Sequence, residues 1–133
     1  MPHENTVLTG GCACRAIRYR YSGKPGFSFD CQCRSCQHMS GTGHASSFIC
    51  QDASTEITGT MNWYERKVPN GNTIKQGFCE TCGSPILNRN TGHPEILFVT
   101  AGSLDDPAGF NPEKIVHRDE GYSWDFVDPE ATI

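Results

Sequence analysis

The sequence Phe78-Cys79-Glu80-Thr81-Cys82-Gly83-Ser84 decides the fold of this chain, because its two cysteines are spaced to hold one metal ion. The glycine that follows Cys82 lets backbone N–H groups turn toward the sulfurs. Zn²⁺ prefers four tetrahedral ligands, so this pair forms half of a site and needs a partner pair from elsewhere in the chain.

Two other groups of cysteines can supply that partner pair. One is Gly11-Cys12-Ala13-Cys14, and the other is the triplet Cys31-Gln32-Cys33-Arg34-Ser35-Cys36. Counting ligands favours the first group, because Cys12 and Cys14 would complete a closed four-thiolate site with residues 79–82. The triplet of Cys31, Cys33 and Cys36 then forms an open site. Three protein ligands with a vacant fourth position are typical of a catalytic or substrate-binding zinc.

Alternatives to two zinc sites stay open at this point. Disulfides would explain eight cysteines only in an oxidising compartment, and a bridge within a C-x-C would be strained. A single structural zinc would leave the triplet redox-active or empty. His38 and His44 follow the triplet and are candidates to complete or gate an open zinc site, or else polar residues of a surface loop. We interpret Cys50, which lies in an apolar run, as a core residue.

Composition indicates the compartment and excludes some partners. The polar N-terminus Met1-Pro2-His3-Glu4-Asn5 has no apolar region after it, which argues against a secretory signal. No run approaches the roughly 18 apolar residues that a membrane span requires. We therefore expect a cytoplasmic protein whose cysteines stay reduced. A formal net charge of −4 disfavours binding to nucleic acid or to anionic membranes.

The apolar pattern predicts an all-β domain, because short runs of period two are separated by glycine-rich turns. The chain of 133 residues fits one domain. Strands are expected near residues 16–21, 27–29, 47–50, 55–57, 62–65, 73–78, 85–87 and 95–101. The last of these is the most apolar and should be central. The best helical candidate is one or two turns after Cys36 that end at Ser40-Gly41.

The C-terminal part, residues 110–133, carries several large apolar residues, so we expect it to pack on the body. These residues are Ile115, Val116, Tyr122, Trp124 and Phe126.

Taken together, these motifs resemble the glutathione-dependent formaldehyde-activating enzyme family, which includes centromere protein V. The resemblance rests on Gly11-Cys12-x-Cys14, the C-x-C-x-x-C triplet and Phe78-Cys79-x-x-Cys82-Gly83-Ser84, and also on residues 15–19 and Ser40-Gly41. It covers residues 8–104 in register, and the remaining residues 105–133 would form a tail of the same single domain, 1–133.

The resemblance implies a fold, a set of ligands and a reaction. The fold is a β-tent of antiparallel sheets joined at a zinc site. By matching position, Cys12, Cys14, Cys79 and Cys82 would hold the structural zinc, and the triplet would hold a second, catalytic-type zinc. The reaction is that of a carbon–sulfur lyase on glutathione S-adducts such as S-hydroxymethylglutathione. This chain departs from the family at Gln32 and Gln37, where members often have His and Arg, and both positions could line the substrate site.

Binding of glutathione would require basic side chains, because glutathione carries two carboxylates. Four basic residues are candidates for this role: Arg34, Arg66, Lys67 and Arg89. The same cysteines also fit a redox or thiol sensor, or a scaffold in which zinc serves only the fold.

Overall fold

Two β-sheets and one short helix make up the computed structural model, which describes residues 7–130. The prediction of an all-β fold is confirmed. The strands are β1 (Val7–Gly11), β2 (Arg18–Ser22), β3 (Ser28–Cys31), β4 (Ala45–Gln51), β5 (Thr55–Thr58), β6 (Met61–Lys67), β7 (Thr73–Cys79), β8 (Pro85–Asn90), β9 (Ile96–Thr100) and β10 (Lys114–Val116), and the helix is α1 (Arg34–Ser40). The N-terminal residues 1–6, where we expect no secretory signal, and residues 131–133 lie outside the described part.

The strands form a small sheet in the order β1-β2-β5 and a large sheet in the order β10-β3-β4-β9-β8-β7-β6. Nearly all pairs are antiparallel, as predicted, because short turns join β6 to β7 and β7 to β8. The pair of β10 and β3 is parallel, which the sequence did not predict. This pairing arises because residues 101–113 carry the chain from β9 to the free edge of β3.

The core follows the period-two pattern of the strands. Tyr19 and Tyr21 of β2 point inward, and Phe48 and Cys50 of β4 are almost fully buried. The predicted central strand, β9, lies in the middle of the large sheet. Cys50 is 1% exposed and pairs with Leu97, so it is a core residue rather than a member of either cysteine cluster.

The two sheets meet where β1 passes the segment after β9. Gly10 pairs with Leu104 as an isolated bridge, and a side chain at Gly10 would collide with the backbone oxygen of Ser103. The Tyr19 hydroxyl lies 2.7 Å from the Ser103 Oγ. The guanidinium of Arg18 binds the carboxylate of Asp105. Together these contacts hold β1 and β2, which flank the loop with the first cysteine pair, against the segment after β9.

Helix α1 begins earlier than predicted. Cys33 is the N-cap residue, and its sulfur accepts a hydrogen bond of 3.4 Å from the Cys36 N–H. The helix therefore starts at Arg34 and includes Cys36. It ends at Ser40-Gly41 as predicted, because Gly41 adopts a left-handed conformation with φ of 76°. No helix within residues 7–130 is long and apolar enough to cross a membrane.

The C-terminal residues pack only in part, so the expectation for this segment is wrong for its aromatic residues. Ile115 is fully buried beneath β10. Tyr122 and Trp124 are exposed and stack on each other with ring centroids 5.9 Å apart, and Phe126 is 90% exposed. The segment is held instead by polar contacts, because Asp125 accepts hydrogen bonds from Gln32 at 3.1 Å and from the His44 ring at 2.8 Å.

Candidate metal centres

The first cysteine cluster lies between two turns, one from each sheet. The loop after β1 supplies Cys12 and Cys14, and the turn after β7 supplies Cys79 and Cys82. The loop after β1 turns at Arg15, whose φ is 68°. The turn after β7 closes at Gly83, whose φ is 78°. The Ala13 N–H donates to the Ser84 hydroxyl at 3.1 Å and so joins the two turns.

The spacing of the sulfurs suits one tetrahedral ion. The four Sγ atoms lie within 4.8 Å of one another. The sulfur of Cys14 is 3.5 Å from that of Cys12 and 3.7 Å from that of Cys79. A zinc with Zn–S bonds of about 2.3 Å would place its sulfurs about 3.8 Å apart. The donor set and its spacing therefore fit zinc, and the cluster could hold a metal ion.

Backbone amides and a hydroxyl stabilise negative charge on these sulfurs. The Ile17 N–H donates to the Cys12 sulfur at 3.2 Å, and the Thr81 N–H donates to the Cys79 sulfur at 3.3 Å. Hydrogen bonds from Ser84 lower the pKa of Cys82 to about 5. Since a metal ligand must be the thiolate rather than the thiol, this hydrogen bonding favours metal binding.

The second cluster is the triplet, which the end of β3 and the start of α1 bring together. Cys31 ends β3, Cys33 caps α1 and Cys36 lies in its first turn. Their sulfurs all lie within 4.8 Å of one another, so three thiolates could bind one ion. Within residues 7–130 this cluster contains no fourth cysteine.

Negative charge in the triplet is concentrated on Cys33. Hydrogen bonds from the Cys31 and Cys36 thiols, with the Cys36 N–H, lower the pKa of Cys33 to about 2. The contact with Cys33 raises the pKa of Cys31 to about 11, and contacts with both other cysteines raise the pKa of Cys36. The Cys33 sulfur is therefore held as the thiolate, which is the form that binds a cation.

A cavity of about 270 Å³ opens beside the triplet. Its apolar wall includes Phe29 of β3, Phe98 of β9 and Val116 of β10. Its polar wall includes Arg66 of β6 and two asparagines of β8. The cavity places an apolar surface and hydrogen-bond donors next to the same three sulfurs, so it can receive a small amphipathic ligand.

His117 lies at this cavity, and sequence reasoning missed it. It follows β10, adopts a left-handed conformation with φ of 58° and lines the cavity. In its protonated form its positive charge would help to lower the pKa of Cys33. Its Nδ1 is 3.5 Å from the Glu120 carboxylate. The only sequence signal was the run of Lys114-Ile115-Val116 before it, because the position depends on the pairing of Val116 with Cys31.

The structure does not bring His38 or His44 to the cavity. His38 is exposed on α1, where it lies near the Arg34 guanidinium and borders a different cavity. The Nδ1 of His44 is bound to Asp125, and its Nε2 is 3.7 Å from the Asp30 carboxylate. Both histidines are close to the triplet in sequence but belong to other contacts.

Gln32 and Gln37, the two departures from the family, also lie away from the cavity lining. Both are buried, and the Gln37 side chain donates to the Gln32 carbonyl at 2.8 Å and to the Glu120 carbonyl at 3.1 Å. A side chain at Gly121 would collide with the Gln32 amide. These residues fasten the triplet and α1 to residues 117–125.

Comparison with known proteins gives a family and a fold. The family model described as glutathione-dependent formaldehyde-activating enzyme matches residues 7–120. Among solved structures, a protein from Rhodobacter sphaeroides is similar, with 23% sequence identity and a TM-score of 0.60 over 78% of this chain and 91% of that chain. At that identity the likeness shows the fold alone. No curated protein gives a significant match.

Proposed function

The chain belongs to the glutathione-dependent formaldehyde-activating enzyme family, and on that premise we propose that it is a zinc-dependent carbon–sulfur lyase acting on glutathione S-adducts such as S-hydroxymethylglutathione. The observation that carries the proposal is the open triplet of Cys31, Cys33 and Cys36 beside a cavity. The reaction would take place in the cytoplasm, where the cysteines stay reduced.

Two zinc ions have different roles in this proposal. Cys12, Cys14, Cys79 and Cys82 hold a structural zinc, because four thiolates leave no position for a substrate. Cys31, Cys33 and Cys36 hold a catalytic-type zinc. When bound there, zinc supplies a Lewis acid that lowers the pKa of a substrate thiol and stabilises a departing sulfur.

The chain's own residues position the adduct and move its proton. The apolar wall of Phe29 and Phe98 excludes water from the carbon–sulfur bond. His117, oriented by Glu120, accepts the hydroxyl proton of the adduct. As the carbonyl of formaldehyde forms, the carbon–sulfur bond breaks, the sulfur keeps the electron pair, and a proton returns to it to give the free thiol. The reverse sequence forms the adduct, and neither direction requires an oxidant or a reductant.

The test combines metal content with turnover. We expect about two zinc ions per chain, and release of formaldehyde from S-hydroxymethylglutathione. Cys36→Ser should retain one zinc and a folded chain but lose the second zinc and the activity. Cys50→Ala is the matched control, because Cys50 belongs to neither cluster and its loss should change neither the zinc content nor the activity.

Full activity of Cys36→Ser with a single zinc would contradict the proposal. Reversible loss of zinc under mild peroxide, with the fold intact and no formaldehyde released, would instead identify a thiol sensor built on the Cys33 thiolate. A chain that holds zinc and shows neither behaviour would be a scaffold.

A further inference from the structure

Arg66 of β6 has a buried hydrogen-bond donor with no partner. Its side chain lines the cavity beside the triplet, and its Nε has no hydrogen-bond partner within residues 7–130. A buried donor on a charged group is costly to leave unpaired. Native proteins satisfy nearly all such groups, so the Arg66 guanidinium keeps hydrogen-bonding capacity that residues 7–130 do not use.

The other three basic candidates for binding glutathione either contact other protein groups or lie outside the cavity. Arg89 also lines the cavity, but its Nη1 is 2.9 Å from the Asp52 carboxylate. The Arg34 guanidinium contacts Gln37 and His38. Lys67 follows Arg66 on the same strand, so its side chain projects from the opposite face, and it is exposed and does not line the cavity. Among these four candidates, Arg66 is thus the one that lines the cavity without a carboxylate partner within residues 7–130.

Strand pairing places two asparagines on the same face of the sheet as Arg66. Arg66 pairs with Ile74, and Ile74 pairs with Asn90, so the three form one row across β6, β7 and β8 on the same face. Asn88 lies two positions along β8 and lines the same cavity. No carboxylate lines this cavity within residues 7–130. An anionic group at this end of the cavity would therefore meet a guanidinium and amide donors, and the acidic groups that line the cavity are the cysteines of the triplet.

We propose that Arg66 binds a carboxylate of the ligand whose sulfur reaches the triplet, with Asn88 and Asn90 as supporting donors. The inference rests on the proposed function and narrows its substrate class to thiols and thiol adducts that carry a carboxylate remote from the sulfur. Guanidinium suits this role, because its planar donors match the two carboxylate oxygens. Phe29, Phe98 and Val116 contact the part of the ligand between its sulfur and its carboxylate.

The test measures binding rather than turnover. Calorimetric titration of the zinc-loaded protein would compare glutathione with its diethyl ester, which keeps the thiol but has no free carboxylate. We expect the wild type to bind the ester about 10- to 100-fold more weakly than glutathione, and Arg66→Gln to bind both as weakly as the wild type binds the ester. Arg66→Lys should recover part of the difference. Lys67→Gln is the matched control and should behave as the wild type.

Equal binding of glutathione and its ester by the wild type would overturn the inference, and so would unchanged glutathione binding by Arg66→Gln. Absence of glutathione binding to the wild type would also overturn it. These outcomes are separate from the lyase proposal, which is judged by formaldehyde release and by the effect of Cys36→Ser. If glutathione binding depended on Arg66 but no formaldehyde were released, the inference would hold and the lyase proposal would be wrong.

Discussion

Cys33 combines two tasks that proteins usually give to different residues. Ser, Thr, Asp and Asn are the common N-cap residues, yet here a sulfur accepts the hydrogen bond from the Cys36 N–H. The same bond stabilises the thiolate, and with the Cys31 and Cys36 thiols it lowers the pKa of Cys33 to about 2. The start of α1 and the charge of the triplet therefore depend on one atom.

His117 is the residue that we expect to transfer the proton, and His117→Asn tests this role. Asparagine tolerates the left-handed backbone at this position, so the substitution should not disturb the fold. We expect kcat for formaldehyde release to fall about 10²- to 10⁴-fold, with KM and zinc content close to those of the wild type, because only a proton-transfer group is removed. Steady-state kinetics across pH would measure the effect.

The matched control for this change is His38→Asn, since His38 is exposed and lies outside the cavity beside the triplet. Its kcat should equal that of the wild type. If His117→Asn kept the wild-type kcat and pH profile, another group would have to accept the proton.

At the scale of elements, β10 and the turn after it build the site from outside the cysteine motifs. The parallel pairing of β10 with β3 sets Val116 opposite Cys31 and brings His117 to the cavity. The following turn binds α1, because Glu120 accepts a hydrogen bond of 3.1 Å from the Arg34 N–H. The residues that the sequence suggested as a packed tail therefore form one wall of the candidate site.

Ile115→Ala tests how strongly β10 is attached. Ile115 is fully buried, so the loss of its side chain should lower the free energy of unfolding by about 2–5 kcal/mol. Denaturant titration followed by circular dichroism measures this change. Phe126→Ala is the control, because a side chain that is 90% exposed should contribute within about 0.5 kcal/mol. Equal effects of the two substitutions would show that β10 is not packed as described.

Local pattern was enough to predict most strands but not the contacts between distant ones. Alternation identified β2 and the hairpin of β6 and β7, and the most apolar run became the central strand β9. Two strands were missed. β1 has a single large inward residue, Leu8, beside two glycines, and β10 has three residues whose partner is far away in sequence. Register across such distances depends on packing that a single sequence does not display.

In the candidate site too, some features follow from local sequence and others depend on contacts between distant strands. Spacing identified the separate cysteine motifs, because C-x-C and C-x-x-C bring sulfurs together within one turn, whereas joining Cys12 and Cys14 to Cys79 and Cys82 also required counting ligands and the family resemblance. The histidine could not be found by nearness in sequence, since His44 is bound to Asp125 and His38 points outward while His117 arrives by β10. The choice of Arg66 among four basic residues likewise required the pairing of β6 with β7 and β8.

At the scale of the whole molecule, the four-cysteine cluster joins the two sheets at one end, beside the core that the sheets share. One pair of its cysteines comes from the loop after β1 of the small sheet, and the other comes from the turn after β7 of the large sheet. The other links are the shared core, the Gly10–Leu104 bridge, the Tyr19–Ser103 contact and the pair of Arg18 with Asp105, which is partly exposed and should contribute little. The arrangement of the sheets should therefore depend on the cluster much more than on the triplet, which lies within the large sheet and α1.

Cys79→Ser tests this dependence. Structural zinc sites contribute on the order of 10 kcal/mol, whereas whole domains are stable by only about 5–15 kcal/mol, so the loss of one ligand should unfold the chain or bring it close to unfolding. Zinc content, circular dichroism and thermal melting would be measured together, with Cys36→Ser as the matched control that loses a ligand of the triplet and stays folded. If Cys79→Ser melted like the wild type, the four cysteines would not be a structural site. If Cys36→Ser unfolded equally, the division of the cysteines into a structural cluster and an open one would be wrong.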